Sequence, residues 1–186
     1  MKRRVFIAID LPIELKHQVG EAIREFEWFP IRWLRPENWH ITLVPPAYLE
    51  EPAVKHLTQL LKREALGASF TLRFSRITLA PEGVQARMIW FEGAAPQELL
   101  ALKRKLEDTL WSDQELRGLF KRETRPLHLH VTLARFEPGA LKQLEAKTRI
   151  LAEVHFVCRV AAIQVMESHL KPTGAEYETL AVVPLA

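Results

Sequence analysis

The chain has 186 residues, of which 48% are hydrophobic and 26% are charged, and its formal net charge is +3. Such values are ordinary for a globular protein, and the single cysteine excludes both an intrachain disulfide and a thiolate metal cluster. The mildly basic balance permits an anionic partner but is too small to specify nucleic acid. No apolar run approaches the roughly 20 residues that cross a membrane, and residues 5–9 are too short for a signal-peptide core. We therefore expect one cytoplasmic domain over residues 1–186, and a monomer.

Helical and strand patterns alternate along the chain. An apolar strand over residues 4–10 is followed by a helix that begins near Pro12, which suits the first helical turn, and ends before Pro30. The further strands are predicted at residues 32–35, 39–44, 70–79, 84–91, 129–135, 154–167 and 177–183. The further helices are predicted at residues 51–66, 96–111 and 139–151, with irregular segments at 112–126 and 168–174. Hairpin signals and short connections favour an α+β fold with mainly antiparallel sheets over a doubly wound parallel sheet.

The same short pattern, a histidine and a threonine separated by one apolar residue, occurs in two of these strands. The first copy is His40-Ile41-Thr42, and the second is His130-Val131-Thr132. Side chains two positions apart on a strand share a face and lie roughly 6.5 Å from each other. Each strand should therefore project one imidazole and one hydroxyl together and bury its apolar residues. Pro45-Pro46 should end the first strand, because proline has no N–H group for the ladder.

Either copy alone is more simply explained as a half-buried histidine with one hydrogen bond. Two copies in matching apolar settings suggest two lobes, each of which contributes one such strand to a shared cleft. Two imidazoles suit acid–base chemistry, because a pKa of about 6.5 lets one be neutral while the other is charged. The two motifs are nearly equivalent, so their residues leave open which histidine would donate a proton and which would accept one.

With both motifs placed, the sequence resembles the two-histidine (2H) phosphoesterases, specifically the RNA 2',3'-cyclic phosphodiesterases that are also called 2'-5' RNA ligases. The resemblance spans nearly the whole chain, through residues 4–12, 39–43, 130–135, 167–168, Tyr177, Leu180 and 184–185. It implies a bilobal fold in which two mainly antiparallel sheets face a central groove, with helices on the outside. It also implies hydrolysis of the 2',3'-cyclic phosphate end of RNA, or of a cyclic nucleotide, to a 2'-phosphate, without a metal or another cofactor.

The resemblance further implies a role for each residue of the motifs. His40 would be the proton donor and His130 the proton acceptor, while Thr42, Thr132 and Arg135 would bind the phosphate. Arg135 lies five residues after His130, so an unbroken strand would point it away from the groove. Only a bulge or the end of the strand would bring its side chain back.

The chain departs from the family pattern beside both motifs. After the first motif, residues 44–48 replace a basic or aromatic residue followed by Leu-Gly, and Tyr48 is a possible substitute for the aromatic side chain. Before the second motif, residues 127–129 separate Pro126 from His130. These differences bear on substrate preference. His128 has the parity to share a face with His130, and we expect it to be a groove-edge or solvent residue and not a catalyst.

Three alternatives remain open from the sequence. The same groove could join or cleave 2'-5' linkages as a ligase, or the chain could be a non-catalytic module that binds RNA or nucleotides. A zinc site that uses His40 and His130 would need a carboxylate from outside either motif. Basic residues around the second motif predict anion binding there, although solvated loop charges are an equally good explanation for the first three of them. They are Lys121, Arg122, Arg125 and Arg135.

Overall fold

The computed structural model describes residues 2–145, 148–172 and 174–186. The strands are β1 Lys2–Asp10, β2 Arg32–Trp33, β3 His40–Glu50, β4 Phe70–Ala80, β5 Met88–Gly93, β6 Leu129–Arg135, β7 Ile150–Val160, β8 Ala162–Lys171 and β9 Gly174–Pro184. The helices are α1 Ile13–Ile23, α2 Glu51–Arg63, α3 Gln97–Ser112 and the short α4 Lys142–Glu145. Within the described ranges, no helix has both the length and the apolar character needed to span a membrane.

The strands form two sheets in which all neighbouring strands are antiparallel. Sheet A has the order β3-β1-β8-β9, and sheet B has the order β2-β6-β5-β4-β7. Helix α2 packs on strands of sheet A, whereas α1 contacts β7 of sheet B. This architecture confirms the predicted α+β fold with two antiparallel sheets.

The two motif strands belong to different sheets, and their alternating sequence explains why each has one buried face. Ile41 and Leu43 of β3 are buried, as are Val131 and Leu133 of β6, whereas the histidines and threonines between them are partly exposed. Burying the branched side chains removes apolar surface from water, at about 25 cal/mol per Å². The same burial fixes which face of each strand carries the polar pair.

The prediction that Pro45-Pro46 ends the first motif strand is wrong. Strand β3 continues to Glu50, and its pairing with β1 shifts register near the two prolines. Strand β3 lies at the edge of sheet A, where one side of the ladder has no partner strand. An edge strand with a bulge accommodates residues that lack an N–H group.

The prediction of one long strand over residues 154–167 is also wrong. Strand β7 ends at Val160 and pairs with β4 in sheet B, while β8 begins at Ala162 and pairs with β1 in sheet A. The chain therefore crosses from one sheet to the other at a single residue, Ala161. Both strands bury apolar residues, so the pattern of apolar residues continues from β7 into β8 and does not reveal the boundary between them.

A predicted helix and a predicted turn also differ from the structure. The helix predicted at 139–151 is limited to Lys142–Glu145, and residue 150 already begins β7; Ala146 and Lys147 of this prediction lie outside the described residues. The turn predicted at 168–174 is largely strand, because β8 extends to Lys171, and Thr173 lies outside the described residues.

Candidate active site

One cavity of about 200 Å³, called here the first cavity, lies where the two motif strands meet. It is lined by His40 and Thr42 from β3 and by His130 and Thr132 from β6. Because β3 belongs to sheet A and β6 to sheet B, each sheet supplies one histidine and one threonine. The structure thus brings together the four side chains that the two motifs single out.

Arg135 also lines this cavity, and a bulge in β6 accounts for its orientation. Strand β6 pairs with β5 so that Ile89 is opposite Ala134 while Trp90 is opposite Thr132, which leaves Leu133 as an extra residue. Leu133 and Ala134 are consequently both buried, and the alternation resumes one residue later. The bulge and the strand end together return Arg135 to the face of Thr132.

His40 is held by contacts within sheet A. Its Nδ1–H group donates a hydrogen bond to the backbone oxygen of Asn38 at 2.8 Å, and the Asn38 amide in turn donates to the backbone oxygen of Ala175 on β9 at 2.9 Å. The rings of Phe6 and Tyr177 lie beside the imidazole, at centroid distances of 5.0 and 4.9 Å. The orientation of His40 is therefore fixed on three sides.

His130 has an equivalent anchor but a different aromatic neighbour. Its Nδ1–H group donates to the backbone oxygen of His128 at 3.0 Å. The imidazole stacks on the indole ring of Trp90, with a centroid distance of 4.1 Å and an interplanar angle of 30°. Trp90 is on β5, opposite Thr132, so the register of these strands places the indole beneath His130.

These anchors determine the chemistry that each imidazole offers. A carbonyl oxygen can only accept, so the proton of each neutral ring lies on Nδ1 and leaves a lone pair on Nε2. Burial lowers the pKa of His40 to about 4, against the opposing effect of the Asn38 carbonyl. Burial also lowers the pKa of His130. In the free protein both rings are therefore neutral near pH 7 and able to accept a proton at Nε2.

The first cavity is electropositive. Arg4 of β1 lines it together with Arg135, and the Arg4 guanidinium donates a hydrogen bond to Ser168 Oγ at 2.7 Å. None of the described residues that line the cavity is Asp or Glu. Two cations, two hydroxyls and two imidazoles form a set suited to binding an oxyanion and transferring protons beside it. The sequence pattern alone did not single out Arg4 for this role, because its partner Ser168 is 164 positions away.

A second cavity of about 500 Å³ adjoins the first. The two cavities share Thr42, His130, Thr132 and Arg135. Trp90, His128 and Arg87 are among the further residues that line the second cavity. The shared residues therefore lie between the first cavity, which is against sheet A, and the second cavity, which lies toward the end of β6.

A polar network lies behind His130. The carboxylate of Glu92 is buried and accepts hydrogen bonds from Arg76 Nε, at 2.6 Å, and from His128 Nε2. Glu92 is opposite His130 in the ladder between β5 and β6. His128 is thus held through its side chain by Glu92, while its backbone oxygen anchors the His130 imidazole. As expected, His128 lies at the edge of the groove, but its buried partner was not predicted.

The basic residues predicted around the second motif divide into two groups. Arg125 and Arg135 line the second cavity, but Arg125 forms a 2.8 Å ion pair with Glu123, which lowers the pKa of that carboxyl to about 2. The guanidinium of Arg122 lies over the Trp111 ring, 5.5 Å from its centroid. Within the described part of the chain, neither Lys121 nor Arg122 lines either of the two cavities.

Two further candidates lie away from the motif residues. Tyr48, considered as a stacking residue, is 60% exposed and lines neither cavity, whereas Tyr177 lines the first. The cluster whose geometry could accommodate a metal ion is Glu167, His169 and Glu178 on β8 and β9. This cluster includes neither motif histidine, and Glu167 already accepts two hydrogen bonds from Arg3, at 2.8 and 2.6 Å.

Comparisons with known proteins agree with this arrangement. The family model described as LigT-like phosphoesterase matches residues 9–90. The RNA 2',3'-cyclic phosphodiesterase of Methanocaldococcus jannaschii is 25% identical over 179 residues, covering 95% of this chain and 98% of that protein. The protein of the same name from Thermotoga maritima is 24% identical over 183 residues, covering 95% and 92%.

The fold has a close counterpart among solved structures. The crystal structure of E. coli LigT complexed with 3'-AMP aligns with a TM-score of 0.80 at 22% identity and covers 100% of this chain and 99% of that one. Two antiparallel sheets with one His-x-Thr strand each are the architecture that the resemblance to two-histidine phosphoesterases implied. The chain is thus similar to LigT-like phosphoesterases over residues 9–90 and to the two RNA 2',3'-cyclic phosphodiesterases over nearly its whole length.

Proposed function

We propose that this chain is an RNA 2',3'-cyclic phosphodiesterase, which opens a terminal cyclic phosphate to a 2'-phosphate. The observation that carries the proposal is the first cavity, in which one His-x-Thr pair from each sheet lies with Arg4 and Arg135. The names of the relatives from M. jannaschii and T. maritima support this activity. The 3'-AMP bound to E. coli LigT supports a nucleotide as the ligand.

In the proposed reaction, the two histidines act on opposite sides of the phosphorus atom. His130 accepts a proton at Nε2 from a water molecule, whose oxygen forms a bond to phosphorus. The bond between phosphorus and the ribose 3' oxygen breaks, and His40 donates a proton from Nε2 to that oxygen. The phosphate remains on the 2' oxygen, and exchange with solvent restores both histidines. Each proton transfer contributes typically 10²–10⁴-fold to the rate.

The substrate itself prepares His40 for this role. A cyclic phosphate carries one negative charge, and a nearby anion raises the pKa of an imidazole. Binding therefore opposes the burial that lowers the pKa of His40 in the free protein. The hydroxyls of Thr42 and Thr132 donate hydrogen bonds to the non-bridging oxygens, and Arg135 balances the charge that develops on them.

The proposal is tested by incubating the purified protein with a 2',3'-cyclic nucleotide and identifying the phosphate isomer by ³¹P NMR. We expect the 2'-phosphate alone, at a rate that a metal chelator does not change. A 3'-phosphate product would reverse the assignment of the leaving oxygen, and inhibition by the chelator would contradict direct acid–base catalysis. Binding without turnover would instead favour the non-catalytic module. Formation of a 2'-5' linkage with added 5'-hydroxyl RNA would favour the ligase.

A further inference from the structure

The second cavity offers space that a terminal cyclic phosphate does not need. The first cavity, at about 200 Å³, is smaller than the roughly 300–1,000 Å³ typical of ligand pockets, whereas the second, at about 500 Å³, falls within that range. The proposed phosphate-binding residues Thr42, Thr132 and Arg135 lie between the two. A phosphate bound at these residues leaves the second cavity open to another part of the same ligand.

The charges that line the second cavity favour an anionic occupant. Four cationic side chains and one carboxylate, that of Glu123, contribute to its wall. Two of the cations, Lys103 and Arg125, already have carboxylate partners, at 2.6 and 2.8 Å. Arg87 and Arg135 have no carboxylate partner among the described residues. Because Arg135 is shared with the first cavity, Arg87 is, among the described residues, the cation that both lacks a carboxylate partner and lines the second cavity alone.

The position of Arg87 sets the distance between two anion-binding points. Arg87 immediately precedes β5, in which Met88 is opposite Arg135 and Trp90 is opposite Thr132. Arg87 lies three positions before Trp90, the residue opposite Thr132, so Arg87 and Thr132 are about 10 Å apart along the strands. A nucleic-acid strand advances about 3.4 Å per stacked nucleotide, so this distance corresponds to about three nucleotides at most.

The backbone at Arg87 is fixed, which makes it a defined binding point. Its N–H group donates to the oxygen of Ala80, and its carbonyl oxygen accepts from the N–H group of Phe136, both at 2.9 Å. Pro126 and Leu127 supply apolar wall to the same cavity. A cation beside apolar surface suits a phosphate with its attached sugar and base.

We propose that the second cavity binds the RNA strand that leads to the reacting nucleotide, and that Arg87 contacts one of the phosphates of that strand. This inference rests on the proposed function and narrows it, because it makes the preferred substrate an oligonucleotide with a terminal cyclic phosphate. A cyclic mononucleotide fills the first cavity and reacts, but it lacks the phosphate that Arg87 would bind.

The first experiment compares kcat/KM for a 2',3'-cyclic mononucleotide with kcat/KM for a tetranucleotide that ends in the same cyclic nucleotide. We expect the wild-type protein to prefer the tetranucleotide and Arg87→Gln to reduce that preference about tenfold, the effect of losing one charge-assisted hydrogen bond. Arg73→Gln is the matched control, because Arg73 is an exposed arginine on β4 that lines neither cavity. Its preference should equal that of the wild-type protein.

A second measurement is independent of any change in absolute rate. Each phosphate contact to a single strand contributes about −0.7 to the slope of log affinity against log salt concentration. The slope for the tetranucleotide should therefore exceed that for the mononucleotide, and Arg87→Gln should remove about 0.7 of the difference.

Equal kcat/KM values and equal salt slopes for the two substrates would overturn the inference and leave the proposed function intact. If Arg73→Gln reduced the preference for the tetranucleotide as much as Arg87→Gln does, the inference would also be overturned. Such a result would indicate that only the overall positive charge of the protein matters. Failure to hydrolyse either substrate would instead contradict the proposed function.

Discussion

Replacing each motif histidine with alanine tests the acid–base assignment most directly. If His40 and His130 transfer protons to and from the same phosphate, His40→Ala and His130→Ala should each lower kcat/KM by at least about 10²-fold. The kcat/KM of the double variant should lie no more than about tenfold below that of the less active single variant, because the effects of residues that act as a unit are strongly non-additive. Two independent losses of about 10³-fold would instead multiply to about 10⁶-fold.

Loss of stability cannot produce a rate change of that size. Both imidazoles are partly exposed and end in a single backbone hydrogen bond. Truncating such a side chain costs about 0.5–3 kcal/mol, and each kcal/mol shifts the melting temperature by about 2–4 °C at this chain length. The variants should therefore remain folded in an assay at 25 °C.

The assay is initial-rate hydrolysis of a 2',3'-cyclic nucleotide, with thermal unfolding recorded for every variant. His17→Ala is the matched control, because His17 is exposed on α1 and outside both cavities. The reasoning is refuted if either single variant retains more than a tenth of the wild-type kcat/KM. It is equally refuted if the loss in the double variant equals the product of the two single losses.

Three further predictions concern the surroundings of the two histidines. The folded-state pKa of His40 lies near 4 and its unfolded value near 6.5, so the unfolded state binds more protons between these pH values. Denaturant titrations should therefore show that the free energy of unfolding falls as pH drops through this window. The fall should be smaller in His40→Ala. Glu92→Gln removes an anion that raises the pKa of His130, so the acid limb of the kcat/KM profile should move to lower pH, and an upward shift would contradict the network. Thr132→Ala should lower kcat/KM by about tenfold or less, since it removes one neutral hydrogen bond, and a loss as large as that of His130→Ala would contradict this role.

The fold class and the placement of the motif strands were predictable because burial alternates along β3 and β6. Apolar and polar residues at period two specify both a strand and the face it buries. This local signal was sufficient to place His40, Thr42, His130 and Thr132 on inward faces. It did not require knowledge of which strands are neighbours.

Features that depend on pairing between distant strands were not predictable in the same way. The bulge at Leu133 exists only relative to the register of β5, and consecutive apolar residues in β6 do not reveal it. Trp90 and Glu92 reach the site for the same reason, since the ladder places them opposite Thr132 and His130. A one-residue slip of β5 would have moved both to the other face.

The errors at Pro45-Pro46 and at Ala161 have a shared physical origin. A local pattern records whether a residue is buried but not which partner buries it. Two prolines are tolerated in β3 because it is an edge strand, and β7 ends before Ala161 because the strands on either side of that residue pair in different sheets. Both facts concern partners elsewhere in the chain.

The strand order of sheet A has a consequence for the order in which the protein is built. Strand β1 leaves the ribosome well before β8, its neighbour on one side, and Arg3 pairs with Glu167 across 164 positions. Closing a loop of that length costs about 4 kcal/mol or more in chain entropy before any contact compensates. Sheet B, formed by strands that lie between β1 and β8 in the sequence, can assemble before β8 is synthesised. Until then, the edge of β1 that pairs with β8 has no partner strand. The half of the groove that carries His40 can therefore be completed only after β8 and β9 have been synthesised, whereas the strands that carry His130 can pair before them.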